Sequence, residues 1–157
     1  MKKSIIILAL FAAPAIASET HQDAVLGCLA EVGASTEWNT CLNLMFEPCV
    51  GDEVGSEGHV ACLIQQKENW RKAKIETELE VLNRLTDAGV AELGNVMLGW
   101  PKFVDDKCTA VGEARANISR NAAKLGCEIS EHVLITNEFR ACLQGKSGED
   151  YCTFKDE

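Results

Sequence analysis

Residues Leu93–Val111 read LGNVMLGWPKFVDDKCTAV, and their apolar side chains recur at intervals of four and three residues. The recurring positions are Leu93, Met97, Trp100, Val104, Cys108 and Val111. This spacing returns each side chain to one side of an α-helix, whereas a strand alternates every second residue. The run therefore predicts a long amphipathic helix. Pro101 removes a backbone hydrogen bond inside it, so we expect a bend or a restart just before Trp100.

Two further runs with helical spacing flank this helix. The downstream run consists of Ile118, Ala122, Leu125, Ile129, Val133, Thr136, Phe139 and Leu143, and the upstream run of Val60, Leu63, Trp70, Ile75, Leu79, Leu82 and Leu85. We expect Asp87-Ala88-Gly89 to end the upstream helix and Asn117-Ile118-Ser119 to open the last one. Three long helices of this kind can bury their apolar faces in one core.

Ahead of the long helices, two shorter helical segments are predicted at about 20–32 and 36–47. Gly33-Ala34-Ser35 separates them, and Pro48 closes the second. Strand alternation is nearly absent from the chain. The sequence therefore predicts an all-α fold, with three long helices in a bundle preceded by a short helical hairpin and cross-linked by disulfides.

The first residues indicate export. Lys2 and Lys3 precede an apolar run that ends in Ala15-Ile16-Ala17, the pattern of a signal peptide. We expect cleavage after Ala17, which leaves residues 18–157 as a single domain, localised to the periplasm or secreted. The apolar run is about half of the roughly 20 residues that span a bilayer, so no membrane span is expected.

Val25-Leu26-Gly27-Cys28 resembles the box at which bacterial lipoproteins are cleaved and acylated. The polar residues 18–23 separate Cys28 from the apolar run, whereas an acylated cysteine follows such a run directly. Acylation would also leave seven thiols to pair. We therefore expect that Cys28 is not acylated.

The charge balance of the chain is acidic. Its formal net charge of −9 becomes −11 when the two lysines of the signal peptide are removed. This charge argues against nucleic acid or an anionic membrane as the main partner and would steer a basic protein toward the chain.

Eight cysteines follow the signal peptide, at positions Cys28, Cys41, Cys49, Cys62, Cys108, Cys127, Cys142 and Cys152. An even number in a short exported chain predicts a framework of disulfides. No Cys-x-x-Cys occurs, which removes the usual thioredoxin-like motif and the usual spacing of zinc ligands. The cysteines are therefore predicted to hold the fold.

The spacing of the cysteines makes a local pairing scheme reasonable. Cys28 and Cys41 lie nearly equidistant from the first turn, Cys49 and Cys62 flank a Gly-rich loop, and Cys108 and Cys127 bracket the turn near Asn117. We favour Cys108–Cys127 most. The remaining connectivity is open from sequence alone, with crossed pairing among the first four cysteines as the main competitor.

The loop between Cys49 and Cys62 is the candidate binding element. Its polar residues are Asp52, Glu53, Ser56, Glu57 and His59. A loop held at both ends loses little conformational entropy on binding, so it can present polar groups rigidly. The competing interpretation is an inert acidic connector.

Catalytic, metal and cofactor sites are not predicted. The three histidines stand alone without a second ligand at helical spacing, and the common hydrolase, metalloprotease and nucleotide-binding motifs are absent. We therefore expect a protein that is not an enzyme. Trp70 and Trp100 lie on the apolar helix faces and are predicted to pack in the core.

The segment Trp100-Pro-Lys-Phe103-Val-Asp105-Asp-Lys-Cys108 resembles the Trp-x-x-Phe/Tyr-Arg-Asp-x-x-Cys signature of the LprI-like domain. This is a family of bacterial envelope proteins named for a mycobacterial lysozyme inhibitor. Val104 stands where the signature usually has arginine. Cys62 with Trp70 resembles the first long helix of that domain and Cys127 its last, so the likeness spans about residues 59–143.

The resemblance implies a family core formed by Trp70, Trp100, Phe103, Asp105 and Cys108. It also implies a non-enzymatic binding protein of the lysozyme-inhibitor type, whose partner is a basic protein such as a lysozyme. The rival hypothesis is a structural or assembly component of the envelope, which a large exposed apolar patch would favour. An enzyme of unrecognised type comes third, and a cleft with convergent carboxylates or a buried histidine would favour it.

Overall fold

The computed structural model describes residues 15–32, 38–115 and 119–155, and it confirms the predicted all-α fold. The helices are α1 Ala15–Val32, α2 Trp38–Phe46, a one-turn 3-10 helix Glu47–Cys49, α3 Glu57–Arg84, α4 Asp87–Ala114 and α5 Arg120–Leu143. In these ranges the β-type pairing is limited to one isolated bridge between Leu85 and Phe154. None of the described helices is long and apolar enough to cross a membrane.

The last helix is the centre of the bundle. Both α3 and α4 pack against α5, while α1 packs against α2 and also touches α5. The buried residues form two clusters. The first joins α1, α2, α3 and α5 through Val25, Leu26, Leu29, Cys41, Met45, Cys49, Leu63, Trp70, Ala122, Leu125, Ile129 and Val133. The second joins α3, α4, α5 and the C-terminal segment through Val81, Leu85, Leu93, Phe139, Cys142 and Tyr151.

The predicted end of α3 is wrong. The helix ends at Arg84, and Asp87-Ala88-Gly89 forms the first turn of α4. The Thr86 hydroxyl accepts a hydrogen bond from the N–H of Gly89, and Asp87 places a negative charge at the positive end of the helix. Gly89 is therefore part of a helix start. A Cβ there would lie 2.6 Å from the carbonyl oxygen of Tyr151, so glycine is required for close packing.

The C-terminal segment folds back onto the turn between α3 and α4. The N–H of Thr86 donates to the carbonyl of Thr153 at 2.8 Å, and the N–H of Lys155 donates to the carbonyl of Arg84 at 3.0 Å. Buried Tyr151 meets Phe139 edge to face, with their ring centroids 6.5 Å apart. The C-terminal segment therefore links the turn between α3 and α4 to α5.

A bend or a restart was predicted just before Trp100. The helix does not restart there, since α4 runs without a break from Asp87 to Ala114. Pro101 lacks the N–H that would bond to the Met97 carbonyl. It is exposed, so water can reach the backbone on that side of the helix.

The predicted apolar faces agree with the structure for α4 and α5 but only in part for α3. Ile118 lies outside the described residues. Along α3, Leu63, Trp70 and Leu85 are buried as expected, whereas Ile75 and Leu79 are 37% and 55% exposed. The buried stripe instead includes Lys74 and Val81. The stem of Lys74 packs inward while its Nζ reaches Glu78 at 2.6 Å.

All eight cysteines are paired, and the local scheme is confirmed. The disulfides and their Cα–Cα distances are Cys28–Cys41 (5.7 Å), Cys49–Cys62 (5.7 Å), Cys108–Cys127 (5.4 Å) and Cys142–Cys152 (5.5 Å). Crossed pairing among the first four cysteines is therefore wrong. Four disulfides fit a protein of an oxidising compartment.

Candidate functional site

The loop between Cys49 and Cys62 is held in shape by two of its predicted binding residues. Ser56 is the N-cap of α3, and its hydroxyl accepts a hydrogen bond from the N–H of His59 at 3.2 Å. The Nδ1 atom of His59 in turn accepts the N–H of Gly55 at 3.2 Å. Gly55 has φ of +87°, which favours glycine. Ser56 and His59 therefore fix the turn.

The three acidic residues of this loop, Asp52, Glu53 and Glu57, are exposed. None of them forms an ion pair with a lysine, arginine or histidine of the described residues. Asp52 lies against the first turn of α3, because a Cβ on Gly58 would be 2.9 Å from Asp52 Oδ1. The positive end of the helix favours a carboxylate at that place. These three residues form what we call the acidic loop patch.

The acidic loop patch lies at the end of the bundle where α5 begins. A Cβ on Gly55 would be 3.2 Å from Cβ of Ser119, the residue that precedes α5. The disulfide Cys49–Cys62 anchors the loop to the 3-10 helix and to α3. The loop that carries the exposed carboxylates is thus anchored by the disulfide and lies close to the start of α5.

The residues of the family signature do not form one cluster. Trp70 is fully buried between α1, α3 and α5, and buried Cys108 cross-links α4 to α5. Phe103 is 55% exposed, and exposed Asp105 pairs with Lys124 at 2.7 Å. Trp100 is half-buried, with its ring centroid 5.2 Å from that of His132.

A shallow cleft that the sequence did not predict lies beside Trp100. Its volume is about 180 Å³, and it is lined by Lys67, Trp100, Pro101, Val104, Asp105, Glu128 and His132. Side chains from α3, α4 and α5 line the cleft. Glu128 and His132 stand four residues apart on α5, so the sequence interpretation that every histidine lacks a second ligand at helical spacing is wrong for His132. The lining residues of α4 all belong to the Trp100–Cys108 segment. We call it the Trp100 cleft.

The two carboxylates of the Trp100 cleft, those of Asp105 and Glu128, both form ion pairs with lysines. Lys67 Nζ lies 2.7 Å from Glu128, and Lys124 Nζ lies 2.7 Å from Asp105 and 3.9 Å from Glu128. The hydrogen bond and charge of Lys124 hold the pKa of Asp105 below its usual value. Asp105 is therefore ionised at neutral pH and is not suited to act as a general acid.

His132 is buried in the same cleft, with 8% of its surface exposed. Its pKa is lowered from 6.5 to about 4, first by burial and then by the nearby positive charges of Lys74, Lys67 and Arg71. Its Nδ1 has no hydrogen-bond partner among the described residues. A buried histidine in a cleft with two carboxylates is the feature named above as favouring the third hypothesis, an enzyme of unrecognised type.

The buried histidine predicts a pH dependence of stability. The folded-state pKa of about 4 lies below the unfolded value of 6.5, so the unfolded chain binds the proton more tightly between these values. Stability is therefore present above pH 6.5 and is lost as the pH falls toward 4. Between pH 7 and pH 4, we expect the unfolding free energy of the wild type to fall by about 1–3 kcal/mol more than that of His132→Gln.

Urea denaturation of both proteins at several pH values measures this difference. Glutamine at position 132 does not titrate in this range. The difference between the two proteins therefore separates the contribution of His132 from that of the carboxylates. Equal loss of stability in the two proteins would contradict the prediction.

Within the described residues, no group of three or more His, Cys, Asp and Glu side chains is placed to hold a metal ion. Comparison with protein-family models, with curated proteins and with solved structures found no match to this chain. The family resemblance described above therefore stays a prediction.

Proposed function

We propose that this chain is an exported, non-enzymatic binding protein that uses the acidic loop patch to bind a basic protein of the lysozyme type. One observation carries the proposal. Asp52, Glu53 and Glu57 are exposed, without ion pairs to described residues, on a loop anchored by Cys49–Cys62. The likeness of the Trp100–Cys108 segment to the LprI-like signature supports the same class of partner.

The electrostatics of the chain favour this mode of binding. The net charge of −9, or −11 after cleavage at Ala17, attracts a basic protein from a distance. The local geometry then decides where it docks, because a preformed loop loses little entropy when it is covered. Export by the signal peptide and the oxidised cysteines would place the chain in the compartments where lysozymes act.

The test removes the three charges of the acidic loop patch in the variant Asp52→Asn/Glu53→Gln/Glu57→Gln. We expect its affinity for a basic lysozyme to fall about 10-fold to 100-fold at low salt, because three charges that meet a basic surface are lost. Titration calorimetry measures the affinity. A cell-wall lysis assay measures inhibition.

The matched control is Glu76→Gln/Glu80→Gln/Asp150→Asn, which removes three exposed carboxylates at other places. It changes the net charge by the same amount but leaves the acidic loop patch intact. We therefore expect the affinity to fall less than threefold. An equal loss in both variants would show that only overall charge attracts the partner. Wild-type protein that neither binds nor inhibits several lysozyme classes would refute the proposal.

A second candidate function is a structural or assembly component of the envelope that acts through contacts between proteins. The observation in its favour is that four apolar side chains of α4 are exposed: Val90, Val96, Leu98 and Phe103. A partner protein could cover them.

A further inference from the structure

The Trp100 cleft has a buried floor and an exposed rim. Among its lining residues, Val104, Glu128 and His132 are buried and form the floor, whereas Pro101 and Asp105 are exposed and form the rim. Helices α3 and α4 both pack against α5, which carries two of the three floor residues. A ligand that enters from solvent therefore meets charged and polar groups at the bottom of the cleft.

The size of the cleft limits what can fill it. Its volume of about 180 Å³ corresponds to roughly six waters at about 30 Å³ each. Sites for drug-sized ligands have volumes of about 300–1,000 Å³. The Trp100 cleft therefore suits a group of the size of one six-membered ring with its substituents.

Trp100 gives the cleft an aromatic wall. Its side chain is only partly buried, and Lys74 Nζ lies over one face of the ring, 5.3 Å from the ring centroid. Lys74 does not line the cleft, so the ring presents another part of its surface there. An aromatic face carries partial negative charge and attracts C–H groups, which carry partial positive charge.

The charges around the Trp100 cleft cancel one another. Basic side chains in or beside the cleft are paired with carboxylates, as Lys67–Glu128, Arg71–Glu68, Lys74–Glu78 and Lys124–Asp105. His132 adds no charge at neutral pH, because its pKa is about 4. A charged ligand would compete with one of these pairs, and breaking the pair of buried Glu128 is costly. The cleft therefore favours a neutral ligand.

The paired groups keep unused hydrogen-bonding capacity. A carboxylate has about four acceptor positions and an ammonium group has three donor hydrogens, so one ion pair does not exhaust Asp105, Glu128 or Lys67. Nδ1 of His132 has no partner among the described residues. A half-turn of the ring about its Cβ–Cγ bond exchanges its nitrogen and carbon positions. A hydroxyl group that reaches the exposed part of this ring can therefore meet a nitrogen.

We propose that the Trp100 cleft binds one neutral pyranose ring of an oligosaccharide. The C–H face of the sugar packs against Trp100, while its hydroxyl groups donate to Asp105 and Glu128 and accept from Lys67. A sugar ring matches the cleft because it is uncharged, carries hydroxyl groups that both donate and accept, and has an apolar C–H face. The exposed rim lets the rest of the oligosaccharide continue into solvent.

Titration calorimetry of the oxidised protein with two neutral tetrasaccharides tests the proposal. Tetra-N-acetylchitotetraose carries the N-acetylglucosamine found in cell walls, and cellotetraose has the same linkage without acetamido groups. We expect a dissociation constant on the order of 0.1–1 mM for at least one of them, as suits a single ring in a shallow site. The probe that binds more tightly identifies the source of the sugar.

Two further probes test the chemistry of recognition. Sorbitol carries hydroxyl groups without a ring, and tetragalacturonate carries a negative charge on each ring. We expect both to bind at least about 10-fold more weakly than the better tetrasaccharide. Equal binding of either probe, or no binding of both neutral tetrasaccharides at about 10 mM, would overturn the proposal.

Variants locate the site. Trp100→Leu should lower the affinity for the better tetrasaccharide at least about 10-fold, because the aromatic wall is lost. The matched control is Phe103→Leu, an exposed aromatic residue of the same helix that does not line the cleft, and its affinity should stay within about twofold of the wild type. Circular dichroism checks that each variant is folded. Equal affinities of the wild type and Trp100→Leu would overturn the proposal.

A second variant avoids the packing around Trp100. Asp105 is exposed at the rim, so Asp105→Ala should fold like the wild type. We expect it to bind the tetrasaccharide at least about threefold more weakly, because one hydrogen-bond acceptor is lost. An unchanged affinity in this variant would contradict the role of the rim.

The sugar site does not depend on the proposed function. Ten residues of α3, about 15 Å at 1.5 Å per residue, separate Glu57 of the acidic loop patch from Lys67 of the cleft. The variant without charges on the acidic loop patch should bind the tetrasaccharide like the wild type, and Trp100→Leu should bind a lysozyme with unchanged affinity. Failure of one proposal therefore leaves the measurements for the other intact.

Discussion

Reducing the four disulfides is expected to abolish the cooperative thermal unfolding of this chain. The bonded cysteines are 10 to 19 residues apart in sequence. Each bond that closes a loop of this size contributes about 3 kcal/mol by restricting the unfolded chain. A domain has only about 5–15 kcal/mol of stability in total, so losing four such contributions removes most or all of it.

Near-ultraviolet circular dichroism and a thermal scan of the reduced, alkylated protein measure this loss. Some helical signal can persist, but fixed packing and a sharp transition should disappear. The oxidised protein unfolded without reductant is the control, and no cysteine in it should react with an alkylating agent. A reduced chain that melts within a few degrees of the oxidised one would show that the helices alone suffice.

The second large effect concerns Trp70. We expect Trp70→Ala to lower the free energy of unfolding by about 3–5 kcal/mol, because a fully buried aromatic ring is replaced by a cavity. The ring lies in the cluster that joins α1 and α3 to α5, so its loss affects three helices. Trp70→Phe should cost less than half as much. The ring Nε1 has no partner among the described residues, so phenylalanine gives up no hydrogen bond with them.

Urea denaturation at neutral pH provides the measurement. The control is Leu79→Ala on the same helix, where the side chain is 55% exposed and the loss should stay below about 1 kcal/mol. Similar losses for Trp70→Ala and Leu79→Ala would contradict the burial described for this helix.

The candidate binding loop could be located from the sequence because all of its parts are close together in the chain. Cys49 and Cys62 are 13 residues apart, and the acidic residues lie between them. The roles of individual residues could not be predicted in the same way. Ser56 and His59 hold the turn, which became evident only from their hydrogen bonds.

The Trp100 cleft illustrates the opposite case. Lys67, Trp100 and His132 are separated by more than 30 residues along the chain, and three different helices carry them. No local pattern relates them, since their proximity depends on how α3 and α4 pack against α5. The low pKa of His132 follows from the same packing.

The sequence by itself determined the helical class and the three long helices, and it favoured the Cys108–Cys127 disulfide. Helical periodicity and the closing of short loops depend on neighbours in the chain, so they can be read without knowing the fold. Only the tertiary structure decided that Lys74 is buried while Leu79 is exposed, and that Gly89 packs under Tyr151. These outcomes depend on which side of a helix meets a segment that is distant in the chain, and the residue order within one helix does not specify that contact.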